Sequence, residues 1–371
     1  MKITSLALHS KDGWPTLDTD VLAAGLNVFH GPSASGKSTL ADLATHSIYG
    51  RRFAAEHAHE TAPEGDVIVE HRGRKLRLRR SHDESAGERL TVSALDRSPV
   101  DQDTVRQLVA CLSPTLLRPL FAVDFRESPR LDWLLSPKFA QEFRDALWQL
   151  KWAPPTVETN LRPIYARMRS LESKVSKLAR GLETPAEQAA AVAENQVRTH
   201  RYRASHFLAL LTDGELVQLR LGHSGRAQVI SRHGDSLAVE SLWSTQRDLV
   251  YLSLCFALSS SLRRHGVRLP LVLDEPFARL DARTSAALVD VLDTLTTRGH
   301  QVLVFTGRRE VVRRFAEIGA VVRELAELRG VRAVAAAKPQ AEVASERETE
   351  PAPVQRLRRV KRTRTKHREA G

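Results

Sequence analysis

The residues best suited to chemistry lie in one octapeptide, Gly31-Pro32-Ser33-Ala34-Ser35-Gly36-Lys37-Ser38, which spells G-x-x-x-x-G-K-[ST]. Each residue type suits a phosphate ligand. Backbone N–H groups of such a loop, and of a helix that begins at its end, converge on an anion, and the helix dipole adds favourable potential there. Gly36 lets the chain pass close to the ligand, Lys37 reaches terminal phosphates, and the Ser38 hydroxyl is a magnesium ligand. Gly31, Ser33, Ala34, Ser35, Gly36, Lys37, Ser38 and Thr39 are the candidate nucleotide-binding residues, and the predicted ligand is a nucleoside triphosphate with Mg2+.

Two adjacent carboxylates, Asp274 and Glu275, close the apolar run Leu271-Val272-Leu273. An aspartate at such a strand end holds magnesium in phosphoryl transfer, and a neighbouring glutamate orients and deprotonates the attacking water. Asp274 is therefore paired with Ser38 as a metal ligand, and Glu275 and Lys37 are the candidate catalytic residues. Pro276-Phe277-Ala278-Arg279-Leu280-Asp281 completes D-E-P-x-x-x-L-D, a combination far more specific than the acidic pair alone.

These groups need a scaffold that joins distant parts of the chain. Leu26-Asn27-Val28-Phe29 reads as the strand that feeds the phosphate loop, and Thr39 to Ala44 as the helix that leaves it. Met1 to Leu8 reads as an opening strand. Residues 66–80 read as a hairpin turning at Arg72-Gly73, with the leucines of Lys75-Leu76-Arg77-Leu78-Arg79 on one face and the cations on the other. That cationic face suits either a phosphate backbone or plain solvent. From Asp103 the pattern is helical, up to Pro154-Pro155. Beyond that boundary Leu161, Ile164, Met168, Leu171, Val175, Leu178 and Leu182 form an a/d seam. A break at Gly181 to Pro185 and a second helix to about Leu211 predict an antiparallel helical hairpin about 30 Å long. After Thr212-Asp213-Gly214 come three strands, a long apolar helix over 247–262, and strands alternating with helices to Val322, the pattern of a parallel sheet covered on both faces.

The assembled residues resemble the ABC-type ATPase heads of the SMC/RecF class, most of all the YhaN-type bacterial members of the AAA-family ATPases. The resemblance rests on Gly25-Leu26-Asn27-Val28 before the loop, Ala204 to Leu208 leading to Leu211-Thr212-Asp213-Gly214, Gln246 to Leu252, and Gln301 to Thr306. It covers residues 1 to about 325, less the arms. It implies an α/β fold: a P-loop NTPase with an ABC/SMC-type head, an antiparallel β lobe and a short inserted helical hairpin. The implied division is 1–150 for the first half of the head, 151–211 for the hairpin and 212–333 for the second half; the blocky, Pro/Ala-rich composition of 334–371, nearly without large apolar residues, predicts a disordered tail. The resemblance also implies that two copies sandwich two ATP molecules with Mg2+, each site completed by the partner's signature loop and D-loop, and that opening and closing of the dimer clamps or releases DNA.

Three departures from that pattern stand out. The signature, L-S-x-G-x in the family, is Leu242-Trp243-Ser244-Thr245-Gln246 here. Trp243, Ser244, Thr245, Gln246 and the D-loop position Asp281 are the implied dimer-contact residues, but an indole cannot supply the serine hydroxyl. At the switch, where relatives often carry histidine, the chain has Arg308, which meets a phosphate but does not exchange a proton at neutral pH. Asp124 stands in the segment where relatives place a magnesium-sensing glutamine, and is read either as its substitute or as an ordinary surface carboxylate.

Composition narrows the partners. The net charge is +12, and residues 355–371 carry eight Arg or Lys against one Glu. Such a tail attracts a polyanion, of which DNA is the expected one, or serves solubility alone. Cys111 and Cys255 lack CxxC spacing, and no apolar run is long enough to span a bilayer, so a reducing cytoplasm without membrane association is expected. Two alternatives remain open: an ATP-binding regulatory switch with little hydrolysis, suggested by the altered signature, and the cassette of an ABC transporter, which leaves the hairpin and the basic tail unexplained.

Overall fold

A computed structural model describes residues 1–9, 16–50, 63–83, 87–101, 114–126, 131–152, 203–221, 227–264 and 266–328. The chain opens with β1 (Lys2–Leu8), the short β2 (Leu17–Asp18), β3 (Leu26–His30) and α1 (Lys37–Tyr49). Strands β4 (Gly65–His71), β5 (Arg74–Asp83) and β6 (Gly87–Ala94) follow, then α2 (Pro114–Phe121), β7 (Ala122–Asp124), α3 (Leu131–Leu134) and α4 (Pro137–Trp152). After a helical stretch over residues 203–211 come β8 (Leu216–Leu221), β9 (Ala227–Ser231) and β10 (Ser236–Ala238). The long α5 (Ser244–Arg264), β11 (Leu271–Asp274), α6 (Ala282–Thr297), β12 (Val302–Thr306), α7 (Arg309–Glu317) and β13 (Val321–Glu324) complete it. Most of the expected helical hairpin, the basic tail and Cys111 lie outside the described residues.

One all-parallel sheet, ordered β13-β3-β12-β11-β7, carries the phosphate loop. Every residue of β3, β11 and β12 is buried, which is why these segments are continuous apolar runs without alternation. Phe29 and Phe305 face each other in register and stack with ring centroids 4.7 Å apart. Helix α1 packs against β11 and β12, and α6 and α7 against β3.

An antiparallel sheet, ordered β2-β1-β4-β5-β6, forms a second layer. Its expected hairpin turns at Arg72 and Gly73, both with positive φ, 51° and 77°, the conformation that tight hairpins prefer. Leu76 and Leu78 are buried beneath it. Two cations of the opposite face share a carboxylate while staying open to solvent: Arg79 grips Asp66 with both ends of its fork, at 2.7 and 2.9 Å, and Arg77 lies 3.8 Å from the same group. Burial works against ionised Asp66, yet the Arg79 fork, with His9 and Arg77, holds its carboxyl below the ordinary range. Strand β6 extends this sheet beyond the hairpin. Its apolar side chains Leu90, Val92 and Ala94 alternate but are only half buried, a weak signal next to the buried runs. A third sheet, β10-β9-β8, holds the three strands expected after Gly214.

A buried side chain bridges the first two layers, between which α1 also packs. The buried Gln301 amide accepts from Ile3 N and donates to Ile3 O, both at 2.7 Å, and donates again to Ala23 O at 3.0 Å. Among the described residues no helix is long and apolar enough to cross a membrane. Replacing Gln301 with Leu leaves both polar groups of Ile3 buried and unpaired, and should lower unfolding stability by about 2–4 kcal/mol, read from chemical denaturation.

Candidate nucleotide-binding site

The phosphate loop turns between β3 and α1 through two residues with positive φ, Ala34 at 60° and Gly36 at 96°. Gly36 occupies the N-cap of α1, no side chain caps the helix, and its first turn holds no acidic residue. By helix geometry the N–H groups of Lys37, Ser38 and Thr39 then lack an intrahelical acceptor, and an anion is the complement they suit. α6 differs: its N-cap Asp281 accepts from Thr284 N at 2.7 Å. Space in the loop is tight. A Cβ at Gly31 would lie 2.6 Å from Ser35 Oγ.

Lys37 is buried and bends back over its own loop. Its Nζ donates to Gly31 O at 2.9 Å and Pro32 O at 2.8 Å, and lies 3.4 Å from Glu275 Oε1. Glu275 reaches this position from the end of β11 through a left-handed backbone, φ 49°, while its N–H still bonds Phe305 O at 2.8 Å. Such strain in a non-glycine residue costs on the order of 1–2 kcal/mol and concentrates at functional sites. The other oxygen of Glu275 accepts from Gly307 N at 3.2 Å. Gly307 is a contributor that the sequence pattern does not mark. A Cβ there would stand 3.6 Å from Glu275 Oε1 and 3.8 Å from Lys37 Nζ, inside the space between the two.

Asp274 lies beneath this pair and is 3% exposed. Neither of its oxygens makes a well-formed hydrogen bond. Arg126 Nε stands 3.2 Å from Oδ2, and the Ser38 hydroxyl is near enough to influence its titration. Burial pushes the Asp274 carboxyl up from 3.8 to about 6; Arg126 and Ser38 pull it down, and Asp124 and Asp42 push it up. Asp124 is the in-register neighbour of Asp274 on β7, so the two carboxylates share one face of the sheet. Among the described residues no cluster of His, Cys, Asp or Glu forms a metal site on its own. That suits magnesium, which usually arrives with phosphate oxygens and water and takes only one or two protein ligands. The buried, under-satisfied Asp274, with the half-buried Ser38 beside it, fits such a part-site.

The remaining candidates gather around the segment that follows Glu275. Arg308 points its guanidinium at this segment, donating to Phe277 O at 2.8 Å and Leu280 O at 2.6 Å. Arg279 pairs with the buried Asp248 of α5 at 2.7 Å, and Thr245 Oγ1 donates to Arg279 O at 3.4 Å. The signature residues thus sit at the start of α5, against the chain that leads to Asp281. Trp243 N donates to Gln246 Oε1 at 3.2 Å, while the indole is 80% exposed. Asp281 itself is a helix cap, held below the ordinary carboxylate range by its bonds to Thr284.

No family model and no curated protein matches the sequence. Among solved structures, an Smc head domain with an extended coiled coil, bound to the C-terminal domain of ScpA and derived from Pyrococcus furiosus, is 16% identical, with TM-score 0.50 over 84% of this chain and 91% of that one. An Smc head bound to the C-winged helix domain of ScpA is 15% identical, with TM-score 0.52 over 84% and 92%. An SMC head domain from Thermotoga maritima also matches, at 14% identity and TM-score 0.46 over 87% and 94%.

The buried charge of Asp274 sets a pH dependence. Below about pH 4 folded and unfolded chains both carry it protonated; above about pH 6 the folded chain bears the full cost of ionising it, about 3 kcal/mol for a shift of this size. Without nucleotide or metal, Asp274→Asn should therefore be more stable than wild type at pH 8, and the difference should shrink as pH falls through 6 towards 4. Urea unfolding across that range measures it.

Proposed function

This chain has the α/β fold of an SMC head, a P-loop NTPase fold, and we propose that it binds ATP with magnesium and hydrolyses it to ADP and phosphate. The observation that carries the reading is the meeting of Lys37, Glu275 and Asp274 at an uncapped, glycine-led helix N-terminus. Loop N–H groups and Lys37 take the β- and γ-phosphates. Ser38 and Asp274 would hold Mg2+, which when bound would supply positive charge against the phosphate oxygens. Glu275 orients the attacking water and receives its proton, with Gly307 N–H steering one carboxylate oxygen and Lys37 the other.

We further propose that ATP brings two copies together through the signature and Asp281, and that the pair acts on DNA in the cytoplasm, in repair or chromosome maintenance. The basic excess of the chain supports the polyanion. A second reading, a switch that binds ATP but turns it over little, is favoured by the exposed Trp243 in place of a signature hydroxyl. The two readings differ in rate, not in binding.

Lys37→Ala should weaken ATP binding by about 10- to 150-fold, the worth of a hydrogen bond to a charged group, measured by calorimetry. Glu275→Gln should keep the affinity and lower turnover by about 10²- to 10⁴-fold. Equal, negligible rates in wild type and Glu275→Gln would favour the switch. Size measurement of Glu275→Gln with ATP should show a dimer, and a monomer at saturating ATP counts against association.

A further inference from the structure

The segment after β7 carries a cation that the proposed reaction does not use. Arg126 fans out over three carboxylates from three parts of the chain: Nη2 lies 2.7 Å from Asp124 Oδ2 and 3.5 Å from Asp42 Oδ2, and Nε lies 3.2 Å from Asp274 Oδ2. Its own backbone N–H donates to Asp124 Oδ1 at 2.9 Å, which fixes the turn from which the side chain springs. Asp274 and Asp124 are almost fully buried, whereas the Arg126 side chain is 42% exposed and has solvent into which to withdraw. Arg126 is thus the visible counter-charge of a carboxylate that has no well-formed hydrogen bond.

We propose that Arg126 is a tethered competitor of the metal: it neutralises Asp274 in the nucleotide-free protein, and a divalent cation must displace it, so that metal enters together with nucleotide phosphates and not before them. This rests on the reading of Asp274 as a metal ligand. The physical basis is mutual exclusion. A guanidinium and a divalent cation repel one another strongly in a site of low effective dielectric, and both draw on the one Asp274 carboxylate, whose Oδ2 lies against Arg126. Phosphate oxygens shift the balance, because they add ligands for the metal and offer the displaced guanidinium new partners. The same arrangement spares the fold an uncompensated buried carboxylate while the site waits.

The test uses the full chain and Mn2+ as the metal, with free Mn2+ followed by electron paramagnetic resonance in the absence of nucleotide. Arg126→Gln should bind Mn2+ at least about tenfold more tightly than wild type, because one adjacent cation no longer repels the metal, and adding Asp274→Asn to that variant should abolish the gain. Arg126→Lys, which keeps the charge but not the three-way fork, should fall between the two and covers the case in which Gln prevents folding. Equal Mn2+ affinities for wild type and a folded Arg126 variant would overturn the proposal. Binding of ATP with Mg2+ by the wild type, measured in parallel by calorimetry, reports on the proposed function alone: its absence defeats that function, while the nucleotide-free Mn2+ comparison decides the competition.

Discussion

Ionised Asp274 is the constraint on which the site turns. A carboxylate so deeply placed costs several kcal/mol unless a positive charge answers it, and the structure surrounds it with groups that can do so. Arg126 answers from the side, at 3.2 Å. Lys37 stands over the neighbouring Glu275, at 3.4 Å. The acidic groups Asp124 and Asp42 make the demand for positive charge larger still. The centre is therefore a set of opposed charges in which carboxylates outnumber cations, and a positive charge added there would relieve the burial of Asp274.

The charges meet because of strand register. β3 carries the phosphate loop and β11 the acidic pair, yet they are not neighbours; β12 lies between them and is hydrogen-bonded to both. Thr306 pairs with His30, and Phe305 with both Phe29 and Asp274. The end of β12 thus brings Gly307 between the loop and Glu275. A slip of one residue would turn Asp274 to the other face of the sheet. The buried apolar runs, the Phe29–Phe305 stack and the Gln301 link to Ile3 oppose that slip.

A second chain of contacts leads outward. Arg308, two residues past β12, binds carbonyls on both sides of Arg279, and Arg279 holds Asp248 on the helix headed by Trp243. Burial raises the Asp248 carboxyl while the Arg279 guanidinium lowers it, a pairing that neither partner gives up cheaply. The acidic pair, the chain leading to Asp281 and the segment before α5 are consequently tied into one body by two arginines. A change at Glu275 and a change at Trp243 have a short mechanical path between them.

Much of this was legible in the residues. The octapeptide ending in Lys37-Ser38 and the D-E-P-x-x-x-L-D run each bring their chemistry in contiguous residues, and the buried runs 26–29, 271–273 and 301–305 announce a parallel sheet because strands covered on both faces cannot alternate. Less visible were β7, only three residues long, and β6, whose half-buried alternation is faint. Arg77 and Arg79 show the limit from the other side: alternation and the turn at 72–73 place them on one face with Asp66 opposite Arg79, but the sequence does not reveal that this aspartate is buried and is shared by both cations. Chain chemistry by itself determined the glycine-rich turn before α1, the acidic pair and the kind of sheet that holds them, since each depends on neighbours in sequence. Only tertiary structure decided that Gly307 stands between Lys37 and Glu275, that Arg308 grips the segment 277–280, and that Arg126 lies across Asp42 and Asp274 as well as its near neighbour Asp124. Apart from Arg126–Asp124, those pairings join residues tens to hundreds of positions apart, and charge attraction acts on distance in space, which strand order and register set.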